Sequence, residues 1–394
     1  MSIFNRHPQD HVGIWFEQRR KLGINDTICW ARYTPKWGLL KMHKFQHGNG
    51  DGMSVILHML NEAGHGDTLI PTSRESCVPS KKELKRIQKN NKPYPKNIKW
   101  RYWNPDIRQT KSTFNTLFFS KEETKLIEDN AMSLNVPLTT LALWSLNKAV
   151  SRHLLEPEQA YTWFYPVNLR GAVDYGTKYA NYSSGFYLPV TGNIDIQTLH
   201  QQIRHKLKSG EHWLSWQQAK ISKYLPRFVI RYLYQYLSKK QFYAGSFSAM
   251  GTWSKEAIPT SDMTSKMASD MTSKMASDMT SKMASDIALE TSLTSTTKVQ
   301  EDLSQERWFG CPPGTKNYPI SNCVINWNGQ LSLTLKLHPS IGDDSVGVTT
   351  LYDWGQGLLS EQDTTVNVRS NRERILSYSY DDAVPNNNSK KNRR

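Results

Sequence analysis

The sequence predicts an α/β chain, α+β in its layering, of two domains. Three observations carry this expectation. Short strand-like runs alternate with helix-period runs along most of the 394 residues. Hydrophobic residues make up 38% of the chain, enough for a sizeable core. A polar, basic stretch from 64 to 109 with five prolines then divides the chain into 1–110 and 111–394.

In chain order, Asp10 to Lys21 reads as a short helix and Thr27 to Tyr33 as a strand. Pro35 breaks the chain before a second strand, Leu39 to Phe45. Met53, Ile56, Leu57 and Leu60 then fall at the spacing of one buried helix face. Lys81 to Lys89 has room for a helical turn or two inside the basic connection. Thr113 to Phe119 has strand character, and Ser120 with Glu123 forms a capping box for a helix to about Leu134. Pro137 starts the next helix, whose stripe runs from Leu141 to Val150, and strands follow at Ala160 to Val167 and Gly185 to Val190. A helix spans Ile196 to His212, and a basic, aromatic region continues to Lys240. From Ser261 an eight-residue unit, Ser-Asp-Met-Thr-Ser-Lys-Met-Ala, occurs three times in tandem. The unit is too short for a solenoid and has little to bury, so 255–305 is expected to be a low-complexity insertion outside the core. Asn328-Gly329, between two alternating runs, signals a hairpin. Residues 370–394 read as a disordered tail.

Candidate chemistry concentrates in Lys44-Phe45-Gln46-His47-Gly48-Asn49-Gly50-Asp51-Gly52. The strand ahead of it holds an imidazole rigidly, and the glycine-rich loop lets a substrate approach. A histidine there suits a general base, because it titrates near neutral pH. Asp51, four residues on and at a helix start, suits the positive end of the helix dipole and pairing with a distant arginine. By spacing alone the motif is weak.

Composition narrows the class. No apolar run reaches the ~20 residues a membrane-spanning helix needs, and Met1 to Arg20 lacks the apolar core of a signal peptide. A cytoplasmic location is the expectation. Cys29, Cys77, Cys311 and Cys323 show no paired metal-ligand spacing and are read as free thiols; no zinc site is expected, and no metal. The net charge of +15 gathers between Lys81 and Arg108, between Arg204 and Lys240, and at the C terminus. A solvated face explains such runs most simply. An anionic cosubstrate or a lipid surface explains them otherwise, and Tyr224, Phe228, Tyr232, Tyr234 and Tyr236 fit an interfacial helix as well as a half-buried one. Nucleic acid is not favoured, since no recognised motif accompanies the charge.

The motif His47-x-x-x-Asp51-Gly52 at a strand end resembles the signature of the CoA-dependent acyltransferase superfamily, which includes chloramphenicol acetyltransferase, peptide condensation domains and wax ester synthase/diacylglycerol acyltransferases. Gln46 stands where many members carry a further histidine. A second block, Pro166-Val167-Asn168-Leu169-Arg170 followed by Asn181 and a strand ending in Leu188-Pro189-Val190, resembles the same superfamily's second domain, although Ala180 replaces a frequent glycine. The resemblance implies two chloramphenicol acetyltransferase-like subdomains, each a mixed sheet with helices and the first one abbreviated, and His47 as catalytic base. It also implies acyl transfer from a CoA or carrier-protein thioester to an alcohol, as in the wax ester/diacylglycerol type. Arg170 is nominated to hold Asp51 or cofactor phosphates, because its fork suits either. By loose match, Asn168, Asn181 and Ser248 are assigned to the substrate tunnel, and Leu351 to Gly355 to a structural element. No permanently bound cofactor is implied; acyl-CoA or a phosphopantetheine thioester is the cosubstrate, and a small-molecule or lipid acceptor, a carrier protein and a membrane surface are the partners. Relatives carry more chain ahead of the histidine, so either a shortened variant or a start upstream of Met1 is expected. Amide formation by a condensation-type enzyme and an inactive binding module remain open alternatives.

Overall fold

In a computed structural model of the protein, the described residues are 5–64, 72, 77–90, 94, 95, 97–107, 113–239, 242–253, 305–359 and 375–379. They form a small and a large sheet with helices. The expected tandem-repeat insertion falls on residues 254–304, outside the described residues.

The chain enters through helix α1 (His11–Lys21). Strands β1 (Thr27–Thr34) and β2 (Gly38–Gln46) pair antiparallel, so Thr27 faces Gln46 and the hairpin delivers His47 at its open end. Helix α2 (Gly52–Glu62) starts at once, capped by Asp51, whose carboxylate accepts from Ser54 N–H at 2.9 Å. Helix α3 (Lys81–Asn90) follows, longer than the turn or two expected. Among the described residues of the basic connection, Trp100 is buried and bridges Leu155, and Arg101 Nε donates to the Leu155 carbonyl at 2.8 Å.

Strand β3 (Thr113–Phe118) leads to helix α4 (Lys121–Ser133), where the capping box of Ser120 and Glu123 forms as expected. Helix α5 (Leu138–His153) and strands β4 (Ala160–Asn168) and β5 (Ser183–Thr191) follow. The expected 196–212 helix is two helices, α6 (Ile196–Ser209) and α7 (His212–Lys220). Gly210 separates them at φ +76°, a left-handed conformation open to glycine. A single 3₁₀ turn joins α7 to helix α8 (Arg227–Ser238), and strand β6 (Gly245–Trp253) ends this block.

Strand β7 (Arg307–Cys311) is unexpected from the sequence. It pairs antiparallel with β1, completing a three-stranded sheet in the order β2-β1-β7. Chain from beyond the repeats is therefore part of the same sheet as the His47 hairpin. That sheet is wholly antiparallel, not mixed. Arg32 on β1 pairs with the buried Glu306 beside β7, and Trp308 Nε1 donates to the same carboxylate at 2.9 Å.

Strands β8 (Ile320–Trp327) and β9 (Gln330–Leu337) form the hairpin that Asn328-Gly329 foretold; both turn residues have positive φ, 50° and 76°. Helix α9 (Asp344–Gln356) then packs on α5. Strand β10 (Ile375–Ser379) corrects the expectation of a wholly disordered tail: it pairs with β3, and Tyr378 packs against Phe114 and Phe309. Five residues flanked by charged ones gave too little pattern to see.

The large sheet has seven strands in the order β10-β3-β9-β8-β6-β4-β5, parallel where β6 meets β4 and β8 and antiparallel elsewhere. Its central strand β8 is buried along its whole length. Val324 faces a core shared with α4, α5, α6 and α9, while Cys323, Ile325 and Trp327 face Trp30, Trp308 and the apolar side of α2. The layers are thus helices, large sheet, then small sheet with α2. The architecture is mixed α/β, as expected.

Candidate active site

The site is built where the β1–β2 hairpin, α1 and the loop after β4 converge. His47 follows β2 directly, and its backbone N–H donates to the Asp26 carbonyl at 2.9 Å. Its ring stacks on Phe16 of α1, 3.7 Å between centroids at 11°. That stacking needs close approach of α1 to the loop, and Gly13 supplies it. A Cβ at Gly13 would lie 2.4 Å from the Gly48 carbonyl oxygen. Gly13→Ala is therefore expected to destabilise the protein by about 1–3 kcal/mol, read from urea unfolding, as overpacking against backbone usually does. An unchanged midpoint would show that α1 sits more loosely than this.

His47 Nδ1 lies 3.0 Å from Asn181 Oδ1. Asn181 in turn donates from Nδ2 to Asp10 Oδ2 at 2.7 Å and from its backbone N–H to the same oxygen at 3.1 Å. With its amide nitrogen committed to a carboxylate, Asn181 presents oxygen to the ring, and oxygen only accepts. Nδ1 therefore carries the proton and Nε2 the lone pair. Nε2 makes no hydrogen bond among the described residues. Asp10 also caps α1, accepting from Gly13 N–H at 2.8 Å. Burial raises the Asp10 carboxyl against the donors from Gly13 and Asn181.

Asp51 does not touch His47. Its two oxygens take a forked ion pair from Arg170, Nη1 to Oδ2 at 2.9 Å and Nη2 to Oδ1 at 2.8 Å, with both side chains buried. Tyr182 N–H adds a bond at 2.9 Å, and the guanidinium lies over the Tyr182 ring, 4.6 Å from its centroid. Burial pushes the Asp51 carboxyl up, but Arg170 with the Ser54 and Tyr182 donors outweighs it and holds the group below its ordinary value. Of the two partners expected for Arg170, it is engaged with Asp51. Gly52, at the first turn of α2, leaves space for Met250, whose Cε would lie 3.0 Å from a Cβ there.

Asn168, from β4, accepts at Oδ1 from Arg170 N–H at 3.1 Å and Nη1 at 3.2 Å. It also lines a cavity of about 240 Å³, with Met53, Tyr165, Phe247, Ala249 and Met250 among the other walls. The expected tunnel set is thus only partly brought together. Asn181 is buried against His47 rather than in that cavity. Ser248 lies between two lining positions on β6, so strand alternation turns it to the other face; its backbone N–H donates to Asn322 Oδ1 at 3.3 Å. His47 is not among the cavity's lining residues either.

No cluster of histidine, cysteine and carboxylate with metal-binding geometry occurs among the described residues. The four cysteines are free thiols, although Cys29 and Cys311 face each other across β1 and β7. The Leu351–Gly355 element lies within α9, where Asp353 binds Arg152 at 2.8 Å and His153 at 2.7 Å. No helix among the described residues is long and apolar enough to cross a membrane.

Burial pushes His47 down to about 4. His11, His43 and His338 are pushed down to about 4 as well, each mainly by burial. The unfolded chain, whose histidines titrate near 6.5, therefore binds more protons than the native state as pH falls. Stability is expected to be full above pH ~6.5 and to be lost progressively down to pH ~4. Thermal melts across that window check this; a melting temperature that holds steady from pH 7 to 4 would contradict it.

No family model matches the chain, and no curated protein does. Among solved structures it is similar to the epimerization domain from the third module of tyrocidine synthetase B. That match has 9% identity and a TM-score of 0.46, covering 84% of this chain and 69% of that one. It is also similar to polyketide synthase associated protein 5 from Mycobacterium tuberculosis, at 12% identity and a TM-score of 0.41, over 81% and 72% of the two chains. Trichothecene 15-O-acetyltransferase from Fusarium sporotrichioides matches at 10% identity and a TM-score of 0.35 over 71% of this chain; the match spans only 52% of that enzyme. A condensation domain from the enacyloxin polyketide synthase and the EpoB cyclization-docking bidomain from Sorangium cellulosum are further solved structures to which the chain is similar, at 10% identity each.

Proposed function

We propose that the protein is an acyltransferase in which His47 is the general base, moving an acyl group from a CoA or carrier-protein thioester to an alcohol. The observation that carries this reading is the Asp10–Asn181–His47 chain of hydrogen bonds, which leaves the Nε2 lone pair without a partner among the described residues. Nε2 takes the proton of the acceptor hydroxyl as its oxygen bonds to the thioester carbonyl carbon. The tetrahedral oxyanion collapses, the carbon–sulfur bond breaks, and Nε2 passes its proton to the departing sulfur, so the free thiol and the neutral imidazole are both regenerated. Burial keeps the imidazole neutral at physiological pH and lowers its strength as a base. Asp51 and Arg170 take no part in proton transfer. They tie the loop after His47 and the start of α2 to the strand carrying Asn168. The acceptor is assigned to the wax ester/diacylglycerol class by the motif resemblance alone.

The experiment is thiol release by the full chain from acyl-CoAs of graded length, each offered a long-chain alcohol, a diacylglycerol or an amine. Release that requires an alcohol supports the reading, and release only with the amine, or only from a carrier-bound thioester, turns it to a condensation-type enzyme. A second reading, an inactive binding module, draws on Phe16 lying flat on the His47 ring and on the cavity whose walls omit His47. It predicts acyl-CoA binding without release for any acceptor.

A further inference from the structure

Helix α8 packs on α1 and carries an aromatic stripe on its exposed side. Ile230 is its one buried residue, with Val229 and Leu233 half-buried. Gln18 Oε1 accepts from Arg231 Nη1 at 3.4 Å, and the Arg19 guanidinium lies between the rings of Phe16 and Tyr234, 5.0 Å and 5.8 Å from their centroids. On the outer side, Tyr224, Phe228, Tyr232 and Tyr236 recur every four residues and are 79%, 65%, 66% and 47% exposed. With Ile221 and Leu237 they make six of the twelve large hydrophobic side chains exposed among the described residues, all inside one 17-residue stretch. Scattered exposed hydrophobics need no explanation, but a contiguous aligned stripe does.

Charge selects the occupant. Lys220, Lys223, Arg227 and Lys239 are exposed beside the stripe, and from His212 to Trp253 the sequence has no aspartate or glutamate. A surface of ring faces, three tyrosine hydroxyls and uncompensated cations matches the boundary of a bilayer with anionic headgroups. There the aromatic bodies enter the acyl edge, the hydroxyls stay at headgroup depth and the cations meet lipid phosphates and carboxylates. We propose that the α8 stripe, with the turn before it, docks the protein on an anionic lipid surface. The same helix α1 that receives α8 carries Phe16 onto His47, so three side-chain contacts, Tyr234–Arg19, Arg19–Phe16 and Phe16–His47, link α8 to the candidate base.

The test is co-sedimentation of the full chain with phosphatidylcholine vesicles with and without phosphatidylserine. Binding is expected to need phosphatidylserine and to weaken as salt rises. Phe228→Ser with Tyr232→Ser should lower vesicle affinity about tenfold or more with an unchanged thermal melt. Lys223→Glu with Arg227→Glu should remove the preference for the anionic lipid. No sedimentation of the unmodified chain, or equal binding by the Phe228/Tyr232 variant, overturns the proposal. So does a concentration-dependent oligomer that the same variant dissociates without any vesicle binding. The readout is lipid binding alone, so the result stands apart from whether His47 transfers acyl groups.

Discussion

Arg170→Leu is expected to cost about 3–5 kcal/mol of unfolding free energy, because it strands a buried carboxylate. Asp51 would keep its bonds from Ser54 N–H, Ser54 Oγ and Tyr182 N–H, at 2.9, 3.0 and 2.9 Å, but lose its counter-ion in a site almost closed to water. Those three donors soften the loss without neutralising the charge. The second variant separates the charge penalty from the loss of packing. With Asp51→Asn added, the stranded charge disappears, and the double variant should regain a substantial part of the loss despite carrying two changes. Urea unfolding of the single and double variants checks this. If Arg170→Leu loses less than about 1 kcal/mol, the pair behaves like a surface ion pair and the site is wetter than described.

That ion pair was half legible in the sequence. Asp51 at a helix start asked for a cation, and Arg170 offered a fork, but 119 residues separate them and only the fold decides between Asp51 and a ligand's phosphates. The local elements were read well wherever periodicity and caps acted within a few residues: the β1–β2 hairpin, the Ser120 capping box, the Asn328-Gly329 turn. Strands β7 and β10 escaped because five residues carry too little alternation, and each exists through a partner distant in sequence. Asp10 was visible only as the first residue of a helix; its second role, holding Asn181 from 171 residues away, left no local signal. Ser248 lies off the described cavity for a physical reason that the sequence does contain, the two-residue period of a strand. Phe247 and Ala249 take the cavity face, and Ser248 cannot share it.

His47→Ala is expected to lower acceptor-dependent thiol release about 10²–10⁴-fold, the share that a positioned general base supplies. The fold should survive, since the ring is only partly buried and its loss leaves the Asp51–Arg170 pair and the Gly13–Gly48 contact in place. Removal of the imidazole also frees Asn181 Oδ1, which a water in the space vacated by the ring can satisfy. A large fall in turnover with a near-normal melt therefore reports on chemistry rather than folding.

The most direct measurement is the rate of thiol release from an acyl-CoA at neutral pH, with and without an alcohol acceptor, for the unmodified chain and His47→Ala, with melts recorded on both. The account predicts turnover that needs the acceptor in the first and a loss of at least about a hundredfold in the second. Equal rates in the two proteins, or silence in both while both are folded, would contradict it.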